Sequence, residues 1–524
     1  MKKIDLFALF ILALGIYSIN FIFQKHPGYM DAEYYYLGGK QLVEGKVFLN
    51  VIWNYLDDPS GLPHPLFSYW MPLASLLAGF SMKIFGITFQ GSRIIFLLLA
   101  AGLAPFSYFV SYKISQNRFV SILAGLLAIF TGFYFKFLTI PETILPVMYL
   151  GGIFFYLIGY LFTTSIIRYK TFVILGIISG LLHLARADGI IFIVLAILSF
   201  ILLWNKKGKN FDFKFKFWSL VILIGLYLIT ISGFLIYNSI QFGSIFSPAN
   251  SRAIWIATYD DTFTFPAANL TFQYFVENGL PLRGAQIWNA LKQNLNSLVG
   301  VQFLIVGLPL FVVGLWKRKD NPVIRIAIIY LIIVFLLMSF IFPLAGSRGG
   351  FLHSCSANQV VVWFLIAEGL QGFIEWGIKK RNWKLHRSQI MFGSALIMVA
   401  LFFTGFVYIK DVIGEYDEEF LWNQEYKTYE TIETIILTKS QDKSEVIMIN
   451  NPVGYYYKTG RSSVVIPNAE PNQLLSVMNL MDVEYLVLDK NLPDRFSEEH
   501  IDMIETHFDL INEENSMVKI YEKK

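Results

Sequence analysis

The chain has 524 residues, 55% apolar and 15% charged, against about 45–50% and about 25% in an average soluble domain, which excludes an ordinary soluble enzyme. The net charge of +4 conceals a split: residues 410–524 carry 11 Lys and Arg against 23 Asp and Glu, and residues 1–409 carry 31 against 15. An acidic tail, with basic residues otherwise confined to short loops, excludes a nucleic-acid binder, and a single cysteine, Cys355, excludes a disulfide framework and a Cys-based zinc site.

The apolar residues gather into blocks near the ~20 residues that cross ~30 Å of hydrocarbon, so an all-α polytopic membrane protein is expected. The first block, 4–23, runs into HPGYMDAEYY without a small-residue cleavage site and reads as a retained span rather than a removed signal peptide. A loop at 24–92 follows. In it, Asp31 and Glu33 stand just past the membrane edge: Asp31 either caps a helix, with Glu33 in its favourable first turn, or serves as a general base. His64, flanked by Pro63 and Pro65, is either an interfacial histidine or a phosphate contact. The Pro-interrupted stretch 65–86 reads as a surface or re-entrant helix, because counting it as a crossing breaks the parity of the basic loops.

Spans are then expected at 93–112, 119–138, 143–166, 171–185, 188–204 and 218–238. Glu142 (IPET) falls in one connecting turn, and Arg186 with Asp188 (ARAD) in another, where they form a local ion pair or leave Arg186 to clamp a lipid phosphate with its planar fork. A second large loop, 239–297, offers Tyr259, Asp260 and Asp261 as acceptor or loop candidates. Spans at 298–316, 326–344, 357–378 and 389–409 complete eleven. The Gly-rich stretch GSRGGFLHS carries Arg348 and His353 between two of them and suits an anion as well as it suits a plain turn. These acids with His could also hold a divalent cation, although no ligand spacing is diagnostic and the metal is unknown.

Three basic loops, 205–216 with five Lys, 317–325 and 379–387, are expected in the cytoplasm, which puts the large loops and the acidic tail outside. In the tail, EVIMIN, SVVIP, YLVLD and VKIYE alternate with helix-like stretches, the pattern of a small extracytoplasmic α/β domain at 410–524. The candidate acids and cations all fall on the outer side. Chemistry at the membrane face accounts for that better than two other classes do, a secondary transporter or lipid flippase, which would want ionisable groups at several depths, and a non-catalytic scaffold.

The order of a first span, an acidic loop (Asp31-Ala32-Glu33), a Pro-flanked polar residue (Pro63-His64-Pro65) and a further acid at the next outer turn (Glu142) resembles the GT-C membrane glycosyltransferases. Within them it is similar to the glycosyltransferase family 39-like branch of protein O-mannosyltransferases and the aminoarabinose transferase of lipid A. The resemblance covers roughly residues 1–240 and implies a GT-C catalytic membrane module at 1–238; the apolar blocks and basic loops add the loop 239–297, further membrane helices at 298–409 and the α/β tail, all in a plasma-membrane protein. It implies transfer of a sugar from a polyprenyl-phosphate-linked donor to an unknown outer acceptor with inversion. It further implies Asp31 as base and Glu142 as the second carboxylate; Glu33 joins them as a catalytic candidate by its place beside Asp31, and His64, Arg186, Arg348 and His353 are the donor-phosphate candidates by their own chemistry. Two departures stand out: Ala32 separates the two acids, and His64 replaces a lysine.

Overall fold

The computed structural model describes residues 2–207, 212–415, 419–514 and 518–524; part of the basic loop 205–216 lies outside them. Among the described residues eight helices are long and apolar enough to cross a membrane: Lys3–Phe23, Phe89–Ser115, Ile144–Thr163, Ala187–Asn205, Phe213–Phe242, Pro322–Ile341, Pro343–Arg381 and Leu385–Ile413. Arg283–Gln302 and Gly307–Arg318, bent by 83° from one another, make a ninth if counted as one broken span. Two shorter apolar helices, Arg118–Leu127 and Tyr169–Ala185, occupy the remaining positions in the expected series.

The expected span 119–138 is not a continuous helix. Asn117 caps its start by accepting from the Phe119 and Val120 amides, but the helix ends at Leu127, only ~15 Å long at 1.5 Å per residue. Gly132, at φ +61°, turns the chain, its amide donates to Thr404 Oγ1 at 2.9 Å, and the short helix Gly132–Phe137 packs inward. Ile129, Tyr134 and Leu138 have no exposed surface: the stretch is apolar because protein surrounds it, and hydropathy alone does not separate that cause from contact with lipid.

Two helices of the first large loop lie against each other. Met30–Val43 and Leu73–Phe85 meet at Gly39 and Gly79, where a Cβ on Gly39 would come within 2.8 Å of the Gly79 nitrogen. At 13 residues, ~20 Å, Leu73–Phe85 is shorter than a crossing. It exposes Leu76, Phe80 and Ile84, one stripe at four-residue spacing, as an amphipathic membrane-surface helix does.

The tail folds around a six-stranded sheet in the order Val51–Ile52, Ser463–Val464, Val446–Met448, Val483–Leu488, Val518–Lys523, Phe508–Glu514. The first four strands run parallel, and Val518–Lys523 pairs antiparallel with the strand on each side of it. Each face has its own core, because neighbouring side chains on a strand point to opposite faces. Ile447, Tyr485, Val487 and Ile520 pack under the helix Gln424–Leu437 and Tyr455, while Met448, Leu486 and Tyr521 pack with Leu474, Val477 and Ile504. One edge strand, Val51–Ile52, comes from the first loop, so the α/β unit is not built from 410–524 alone.

Candidate active site

Asp31 sits in the first turn of Met30–Val43. The position before the helix is Tyr29, and no side chain caps it, so Asp31 does not do the capping that a residue of its type offers at a helix start. Its carboxylate lies within reach of the Trp70 side chain and feels the charges of Glu142, His353 and Arg186. Burial and the negative Glu142 beside it hold its pKa up, at about 6.

Glu142, fully buried just before Ile144–Thr163, is held on every side. Oε1 accepts from the Thr143 amide at 2.5 Å and from Thr143 Oγ1 at 2.8 Å, Oε2 accepts from the Tyr29 hydroxyl, and His353 Nδ1 lies 3.5 Å from Oε1. Burial alone would raise its pKa, but His353, Tyr29 and Thr143 outweigh it and hold the group near 2. It is a fixed anion, committed to its neighbours.

Arg186 ends the helix Tyr169–Ala185 and donates from Nε to Asp188 Oδ1 at 2.9 Å, the local pair expected from the sequence. One terminal nitrogen reaches the Gly350 carbonyl at 3.4 Å, and Asp188 is held in turn by the Ser354 hydroxyl. The guanidinium keeps donors in excess of these contacts. Gly350 and His353 come from the Gly-rich stretch, which kinks at Gly349, φ +104°, a conformation that favours glycine. The exposed Arg348 stacks on Tyr259, 3.3 Å from the ring centroid. Tyr69 joins the two groups, within electrostatic reach of Asp31, Arg186, Tyr259 and Arg348.

The structure therefore brings together Asp31, Glu142, Arg186, His353, Arg348 and Tyr259. It commits four other candidates to other partners. Glu33, two residues after Asp31, points away from it and is fully buried against the tail, accepting from Tyr426 OH at 2.5 Å and Asn451 Nδ2 at 3.3 Å; burial and Glu425 push its pKa up to about 8. His64 is engaged with Asp57, 2.9 Å from Nε2 to Oδ2, in a two-residue strand pair with Phe48–Leu49. Asp261 ties its own loop, accepting from the Ala257 and Thr258 amides at 2.6 and 2.9 Å and from Tyr274 OH at 2.8 Å. Asp260, next to Tyr259 and within electrostatic reach of Arg348, accepts from the Asp494 amide at 2.8 Å. No group of three or more His, Cys, Asp and Glu able to hold a metal is gathered among the described residues. Tyr29, Trp70 and Ser354 are members of the site that the sequence did not single out; with 17% aromatic residues, no single ring stands out.

No model of a protein family matches the sequence, and no curated protein does either. Solved structures do match. The oligosaccharyltransferase of Archaeoglobus fulgidus in the apo form superposes with a TM-score of 0.58 at 13% identity, over 93% of this chain and 70% of that one. The same organism's AglB, in complex with an inhibitory peptide and a dolichol-phosphate, gives 0.54 at 12% identity over 92% and 69%. ArnT from Cupriavidus metallidurans bound to undecaprenyl phosphate gives 0.54 at 10% identity over 99% of this chain and 98% of its own. At such identities the likeness is one of architecture, and by architecture the chain is a polytopic membrane protein of the GT-C fold.

Proposed function

We propose that the chain is a membrane glycosyltransferase that moves a sugar from a polyprenyl-phosphate-linked donor to an acceptor reaching the site from the extracytoplasmic side, with inversion. The observation that carries the reading is the pairing of one available carboxylate, Asp31, with the guanidinium groups of Arg186 and Arg348 and the imidazole of His353 at its border. Asp31 takes the proton of the acceptor's nucleophilic O–H or N–H. The nucleophile's electron pair forms the new bond to the anomeric carbon, and the bond from that carbon to the phosphate oxygen breaks with its electrons on the phosphate. Arg186 and Arg348 meet the charge so released, since a guanidinium offers several donors in one plane to phosphate oxygens. A base with a pKa near 6 is ionised at neutral pH and still basic enough to share a proton in the transition state. The lipid-bound ArnT and AglB structures support a donor of this class for a chain with their fold.

The test is transfer of radiolabelled sugar from a polyprenyl-phosphate donor by the purified protein in liposomes, with Arg186→Lys alongside. The swap keeps the charge and loses the fork, so donor binding is expected to weaken about tenfold, ~1.4 kcal/mol. Unchanged donor affinity would leave Arg186 as the partner of Asp188 and nothing more.

A further inference from the structure

We infer that the tail domain is a working part of the site: Trp422 and Tyr426 are positioning residues that clamp the segment carrying Asp31. The inference rests on the glycosyltransferase reading for what is positioned, and on contacts alone for the clamp.

Residues 23–33 hang on the start of the tail domain almost residue by residue. Asn423 Nδ2 donates to the Phe23 carbonyl at 2.8 Å, and its Oδ1 accepts the Lys25 amide at 3.0 Å. The Trp422 indole N–H donates to the His26 carbonyl at 2.9 Å. Its ring lies over Gly28, where a Cβ would come within 2.0 Å of it, so at this position, with φ +89°, both conformation and space require glycine. The Tyr426 hydroxyl is the central link: it accepts the Gly28 amide at 2.7 Å and donates to Glu33 Oε1 at 2.5 Å. One hydroxyl thus bridges the chain before the Asp31 helix to the first turn of that helix.

The same domain grips the loop again beyond the helix. The Ser463 amide donates to the Asn50 carbonyl at 3.1 Å and the Val465 amide to the Ile52 carbonyl at 2.8 Å, while Tyr55 OH donates to the Val465 carbonyl at 2.6 Å. The segments on both sides of helix Met30–Val43 are therefore bound to one sheet-and-helix unit. The residue between the clamp and the base, Tyr29, is the one that hydrogen-bonds Glu142, so a shift of the clamp moves both carboxylates of the site relative to each other. This gives Glu33 a role as the clamp's anchor and explains how a carboxyl so near the base stands apart from the chemistry.

The test compares Tyr426→Phe with Tyr455→Phe in the full-length protein. Tyr455 belongs to the same domain, and its hydroxyl donates to Glu433 at 2.6 Å, buried like that of Tyr426 but without a bond to residues 23–33. Hydrogen–deuterium exchange without substrate is expected to rise about tenfold within 24–33 in Tyr426→Phe only. In the transfer assay Tyr426→Phe should lower kcat about three- to tenfold, a part of what the hydroxyl's two hydrogen bonds contribute, with KM for the donor unchanged, while Tyr455→Phe leaves kcat per folded molecule at the parental value. Unchanged exchange at 24–33 in Tyr426→Phe, or equal kcat losses in both variants, overturns the clamp. A parent protein that exchanges as expected but transfers no sugar refutes the glycosyltransferase reading and leaves the clamp standing on its exchange result.

Discussion

Asp31 and Glu142 are both buried acids, and they differ in what surrounds them. Glu142 accepts from Thr143 twice and from Tyr29 and faces His353, so it stays an anion; Asp31 has one Trp70 contact and bears the repulsion of Glu142. Because the Asp31 pKa is raised to about 6 and the base form is the ionised one, turnover should fall as pH drops through about 6. Glu142→Gln removes the neighbouring charge, makes Asp31 more acidic and should shift that acid limb of the kcat/KM profile, which reports the free protein, to lower pH; a limb that stays in place would mean that another group titrates. The acids and cations of this cluster were legible in the sequence because charges at the border of apolar blocks need a reason. Glu33 was not legible, because its partners Tyr426 and Asn451 lie some four hundred residues away.

Helices explain why these side chains meet. Met30–Val43 approaches Leu73–Phe85 backbone to backbone at Gly39 and Gly79, so Gly39→Leu should overpack the contact and cost about 1–3 kcal/mol, read as a lower thermal midpoint. Glu33→Gln acts on the same helix from its other side. A carboxyl whose pKa is raised by burial, here to about 8, contributes stability at low pH that is lost as pH rises from its unfolded value through the folded one. The parent's thermal midpoint should therefore decline between about pH 5 and 8 more steeply than that of Glu33→Gln; parallel curves would mean that Glu33 is not the titrating group. Long apolar blocks such as 326–344 and 389–409 announced their helices. The block 119–138 misled because its turn at Gly132 is enclosed by Thr404 and other buried neighbours, and an apolar residue reads the same whether it faces protein or lipid.

Across the whole molecule, the basic loops and the acidic tail give an expected sidedness, and the sheet shared between Val51–Ile52 and the tail could not be read, since a two-residue strand has no periodicity of its own. The proposed sidedness makes a direct prediction. With the buried Cys355 replaced, cysteines at the exposed positions Ser60 and Ser476 should react with an impermeant maleimide on intact cells, and one at the exposed Asn382 should react only after permeabilisation. The reverse pattern would put the site in the cytoplasm.

The central claim is that Asp31 is the base of a sugar transfer from a lipid phosphate, and the measurement that addresses it is the single-turnover rate of Asp31→Asn in liposomes loaded with donor, read together with donor binding. The substitution keeps the side chain's shape and removes its capacity to take a proton. Transfer should fall by about 10²–10⁴-fold while donor affinity stays at the parental value. An Asp31→Asn protein that folds, binds donor and transfers sugar at near the parental rate would contradict the account.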